Sequence, residues 1–246
     1  MTNTTPAPDF ANLPREQLET MQRAGKRIRD CYRVLGKSSS NMVGEVLRAQ
    51  GDFFEWDHFP KGDVYDHITH SQYYYHAHPA ESRLDIYGRE HGHFHTFMRP
   101  KGMPESIKPA PLDDYKKPAG DNDALSHLIA ISMDRSGFPV RLFTTNRWVT
   151  GETWYAAADV DRIIDSFDMD LSYPSWPVNV WMTAMMILFR PTIQSLLVDR
   201  DVCIKAWQAD HSDANVFEDR TLEVTSFTEI SVDDQIAAVE MSLKAK

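Results

Sequence analysis

The stretch from Tyr73 to Phe97, YYYHAHPAESRLDIYGREHGHFHTF, carries five of the chain's ten histidines, all at two-residue intervals within two short runs. His76 and His78 make the first run, and His91, His93 and His95 the second. Two residues is the period of a β-strand, where alternate side chains share a face roughly 6.6 Å apart. A helix would scatter the same residues around its circumference. The spacing therefore predicts two strands, each with its imidazoles on one face. Suppose they pair antiparallel across the loop Pro79–Arg89. One register sets His76 against His93 and His78 against His91. Another sets His76 against His95 and His78 against His93. Either gathers four imidazoles on one face, whereas a one-residue slip would separate the two sets.

Such a cluster can close around one divalent ion at metal–nitrogen distances of about 2.0–2.1 Å. Three imidazoles with an open position suit Zn(II) and water. Two imidazoles and a carboxylate suit Fe(II) and oxygen chemistry. The candidate ligands are His76, His78, His91, His93, His95 and Glu81, a loop residue able to swing in. Glu90 alternates away from His91 and reads as a rim residue. Tyr74 shares the face of His76 and is a candidate proton donor. His127 opens a third strand and is a candidate general base or further ligand. In FTTNRWVTGETW, Asn146 and Arg147 fall in an expected strand, where polar groups need partners. They are assigned to substrate binding, Arg147 on a carboxylate, with pairing inside the fold as the alternative. A second constellation, Asp63, His67 and His70, would line one face only if its segment were helical, and a solvated face is the plainer reading. His58 reads as structural, stacked among Trp56 and Phe59.

Around these runs the pattern mixes periods. Residues 1–13 read as a flexible tail, and 14–246 as one α+β domain. Helical spacing runs from Pro14 to a stop at Gly36, through Leu18, Met21, Ile28, Tyr32 and Leu35. NMVGEVLRAQ predicts a short second helix, and residues 53–72 fit no pattern. Strands are expected over Gln72–His78, Glu90–Met98, His127–Met133 and Val140–Val149, with turn residues between them. Residues 99–124 form a Pro-rich loop without periodicity, long enough to cover a site. Helices follow at Ala156–Phe167, Val178–Phe189 and Thr192–Gln208, the last two opened by Pro177 and Pro191. Arg220–Ile230 adds a strand, and Ser231 caps a final helix. The sum is an antiparallel sheet with a mainly helical C-terminal half packed on it.

Hydrophobic content of 42% and charged content of 25% suit a globular chain with its own core. A net charge of −10 argues against nucleic acid and anionic membrane surfaces as partners. Cys31 and Cys203 make no framework or thiolate motif, so free thiols in the cytoplasm are expected. The start of the chain lacks the basic and apolar regions of a leader, and VWMTAMMILF is too short to span a bilayer. No HExxH, GxSxG, GxGxxG or CxxC occurs. The expectation is a cytoplasmic metal-dependent enzyme, using Fe(II), Zn(II) or Cu to activate oxygen or water on a small polar substrate, with a weak lean to non-haem Fe(II) redox chemistry. Two alternatives stand beside it. One is a non-catalytic metal or haem binder or sensor. The other is a metal-free interaction protein whose histidines respond to pH near 6.5.

Overall fold

The computed structural model describes residues 8–79 and 90–246. Six strands form one sheet in chain order: β1 (Phe59–Tyr65), β2 (Ser71–His76), β3 (Gly92–Met98), β4 (Ser126–Met133), β5 (Pro139–Thr145) and β6 (Val224–Glu229). Every neighbouring pair is antiparallel. Seven α-helices accompany it among the described residues: α1 (Arg15–Gly36), α2 (Met42–Leu47), α3 (Arg147–Thr150), α4 (Ala157–Ile164), α5 (Trp176–Leu188), α6 (Arg190–Asp210) and α7 (Val232–Ala245). Five of the seven follow β5, so the α+β class with a helical C-terminal half holds.

The helices form where the chain supplies a stripe and an end signal. α1 buries Leu18, Met21, Ala24, Ile28, Cys31 and Leu35, three or four residues apart. Gly25 lets α7 come close: a Cβ there would stand 2.7 Å from Ile236 Cγ1. Pro177 and Pro191 lie in the first turns of α5 and α6, where a missing N–H is harmless. The Ser231 side chain accepts from the Asp234 N–H to start α7.

One face of the sheet packs on this helical layer. Tyr73, Tyr75, Phe94, Ile129, Ile131 and Leu142 join α1 and α5 in the main core. Each large apolar side chain so buried is worth about 1.5–3 kcal/mol. The opposite face carries Tyr74, His76, His93, His95, Ser132 and Phe143, and it too is buried. An antiparallel sheet commonly turns its polar face to water. A buried polar face must instead satisfy its groups internally, and that requirement leads to the site.

Four expectations change in detail. Residues 59–65, unassigned from the sequence, are the edge strand β1. The strand expected over Val140–Val149 stops at Thr145, because Asn146 caps α3 through its side-chain oxygen. Within the tail expected over residues 1–13, Phe10 and Leu13 pack against the main core, so order begins before Pro14. The Pro-rich segment 99–124 has one short 3₁₀ turn, Pro100–Gly102. Its Ala110 N–H donates to Trp154 O at 2.8 Å, and Asp114 meets Arg147. These bonds seat it against the α3–α4 connection. Among the described residues no single helix is long and apolar enough to cross a membrane, and Cys31 and Cys203 are free.

Candidate metal centre

β2 and β3 pair with His76 opposite His93 and Tyr74 opposite His95. This is the first of the two registers that the histidine spacing allowed. It brings His76, His93 and His95 together: one nitrogen from each lies within 4.8 Å of the others, and all three residues are buried. The Nε2 atoms of His76 and His93 face each other at 2.7 Å. Two imidazole lone pairs at that distance repel unless a proton or a cation lies between them. Two ligands of a tetrahedral zinc ion stand about 3.3 Å apart, from metal–nitrogen distances of about 2.0–2.1 Å. A small side-chain rotation would therefore admit an ion. Gly92 keeps the strands close here, since a Cβ on it would meet His76 O at 2.5 Å.

Two of the three imidazoles are held from behind. His93 Nδ1–H donates to Glu90 Oε1 at 2.7 Å, which leaves Nε2 as the lone pair aimed at the cluster. His95 Nδ1 meets His127 Nε2 at 3.0 Å, which leaves the other His95 nitrogen for a ligand. Metal-binding histidines are usually oriented in this way, through the ring nitrogen that does not touch the metal. Burial alone would raise the Glu90 carboxyl, but the His93 ring beside it holds it below the usual carboxylate range. Burial, and then the neighbouring imidazoles, push His76 and His95 far below the ordinary imidazole range. Both are therefore neutral, as metal ligands must be. His127 is pushed down to about 3 by burial first, with Arg200 and His93 adding to it.

A β-bulge brings His127 to this face. Thr96 pairs with Ile129 and Phe97 with His127, so Leu128 is the extra residue. Without the bulge, His127 would share the core face of Ile129 and Ile131. Its N–H donates to Glu152 Oε2 at 2.8 Å. Glu152 is itself buried, and burial, opposed in part by Arg200, pushes its carboxyl up to about 8.

The other candidates fall in different places. His78 lies two residues beyond β2. Its ring stacks on Trp56 at 4.4 Å and stands 4.9 Å from the His76 ring and 5.2 Å from that of His93, at the edge of the triad. His91 is not brought in. β3 begins only at Gly92, so the alternation that would carry His91 to the face of His93 stops one residue short. Its Nδ1 meets Tyr75 Oη at 2.6 Å on the core side. Glu81 lies outside the described residues. Tyr74 is beside the cluster, with its ring 5.2 Å from that of His95. Burial, then Asp63, raises its phenol, so the hydroxyl keeps its proton.

Asn146 and Arg147 are engaged within the fold. Asn146 Nδ2 donates to Val216 O at 2.7 Å. Arg147 donates to Asp114 Oδ1 at 3.0 Å and to Glu218 Oε1 at 2.7 Å. The second constellation does not assemble, because the segment is a strand and a turn instead of a helix. Asp63 takes His58 and Gln72, while His70 meets Tyr65. His58 stacks on Tyr74, at 3.6 Å between ring centres. Sequence reasoning placed Glu90 on the rim and missed its bond to His93. The one available signal was its position three residues before His93.

The model of one family, described as a domain of unknown function (DUF6969), matches residues 22–230. The chain belongs to this family. No curated protein and no solved structure matches it.

Proposed function

We propose that this member of the DUF6969 family is a divalent-metal enzyme whose ion is held by His76, His93 and His95. The observation that carries this reading is the buried triad, its members within 4.8 Å of one another, with the carboxylate of Glu90 on His93. Three imidazoles and an open position are the donor set for activating water on a small polar substrate. A bound divalent ion can lower the pKa of its water to about 7. The two-imidazole, one-carboxylate set of Fe(II) and oxygen chemistry has less support, because Glu90 Oε1 bonds His93 from behind. Zn(II) is accordingly the ion expected, and Fe(II) or Cu in the purified protein would move the reading to redox chemistry.

The test is metal content by mass spectrometry on protein purified without a histidine tag, beside His76→Ala/His93→Ala. The reading expects about one equivalent of one metal, lost in the variant while far-UV circular dichroism is unchanged. It fails if the wild type holds no metal and takes up none of Zn(II), Fe(II) or Cu(II). A metal with no water exchangeable by small anions would mark a closed carrier or sensor instead of an enzyme.

A further inference from the structure

The mouth of the centre is built from exposed rings. Trp56 is 58% exposed although one of its faces lies on His78. His58 keeps its side chain 43% exposed while stacking at 10° on Tyr74, and its ring is 5.9 Å from that of His76. His76 is the least buried member of the triad, at 9%. Trp56 and His58 thus stand beside the polar buried cluster, the indole on His78 and the imidazole near His76.

The backbone holds this arrangement at a cost. Trp56 has φ of 72°, a left-handed conformation that bulky residues rarely adopt and that costs on the order of 1–3 kcal/mol. Its N–H donates to Ala77 O at 2.9 Å, fixing the loop to the end of β2. A loop under no constraint would relax, and here it sets the indole over His78. The charge of the loop is one-sided: Asp52, Glu55 and Asp57 are acidic, and no residue from 52 to 57 is basic. These three carboxylates disfavour an anionic ligand beside Trp56.

We propose that the substrate of the centre is a small uncharged phenol, seated by its ring against Trp56 and His58 with its hydroxyl directed to the ion. This rests on the metal reading above. Exposed aromatic surface at a site mouth marks recognition. A flat unsaturated ring gains stacking there beyond the area it buries, which a saturated ring of the same size does not.

The experiment is isothermal titration of the full metal-loaded chain with phenol, cyclohexanol and benzoate, with metal content measured on each sample. Phenol should bind about 3- to 10-fold more tightly than cyclohexanol, the range that ring stacking supplies, and benzoate should bind least. Trp56→Leu should remove the preference for phenol over cyclohexanol and leave metal content unchanged. Trp56→Phe, which keeps a ring, should retain it even if the leucine variant folds poorly. Equal binding of phenol and cyclohexanol, or an undiminished preference in Trp56→Leu, with one equivalent of metal present, overturns the proposal and leaves the metal centre standing. Phenol binding through Trp56 in a protein that takes up no metal upholds the ring site and sinks the metal reading.

Discussion

Glu152→Gln tests the polar network behind the triad through its pH dependence. Glu152 is buried, its carboxyl is pushed up to about 8 from the ordinary 4.5, and burial is the main cause. Below pH 4.5 the group is protonated in the folded and the unfolded chain, and its contribution to stability is fully present. Between pH 4.5 and 8 the unfolded chain ionises while the folded protein keeps its proton. Stability then falls by about 1.4 kcal/mol per pH unit. The loss is roughly 3 kcal/mol by pH 7 and roughly 5 by pH 8, by the same linkage. Glutamine has no such proton, so this slope disappears. A constant cost replaces it. Oε1 of Glu152 has no hydrogen-bond partner among the described residues, and an amide placed there costs about 1–3 kcal/mol. The variant should therefore be the less stable protein at pH 4.5 and equal or more stable at pH 7.5. Guanidinium unfolding of both proteins at four pH values between these limits measures the difference, and other titrating groups cancel in it. Parallel stability curves across that range would refute a protonated, buried Glu152.

Three other outcomes are expected. Glu90→Gln removes the charge that orients His93 and should weaken metal binding about 10- to 100-fold with the fold intact, read by competition with a chelator. Arg147→Ala breaks the bridges to Asp114 and Glu218 and should cost about 0.4–2 kcal/mol in guanidinium unfolding, about 0.2–1 for each partly exposed pair. Arg147 holds the Asp114 carboxyl down at about 2. That stabilisation is present above the ordinary carboxylate value of 3.8 and is lost as pH falls toward 2, so the difference between wild type and variant should shrink there. Ligand binding at the centre should not change in this variant. Tyr73→Phe removes the buried donor that reaches Asn179 Oδ1 at 2.6 Å and should cost about 1–3 kcal/mol by thermal or chemical unfolding. A cost near zero would mean that the pair is relieved by solvent.

Much of the fold is legible because its signals are local. A stripe such as Leu18–Met21–Ile28–Leu35 can be buried only as a helix, and Pro177, Pro191 and Ser231 mark helix starts by backbone chemistry alone. β1 is harder to read. Phe59–Tyr65 shows the burial pattern of an edge strand, with only part of it covered, so no clean alternation exists to find. Val140–Val149 reads as one strand because aromatic and β-branched residues continue past Thr145. Only the capping bond of Asn146 ends it.

The candidate site divides in the same way. The two-residue spacing of His93 and His95 determined by itself that one strand would carry both with their imidazoles on one face, because side-chain alternation is a property of the extended backbone. Which register was used, and which histidines were left out, depended on where pairing stops. β2 ends at His76 and β3 starts at Gly92, so His78 moves to the edge and His91 turns to Tyr75. Glu90 reaches His93 through a bend that no periodicity encodes, and His127 reaches His95 through the bulge at Leu128. Those contacts were decided by the tertiary structure, because bends, bulges and strand ends are set by the packing of distant segments and not by the residues that they bring together.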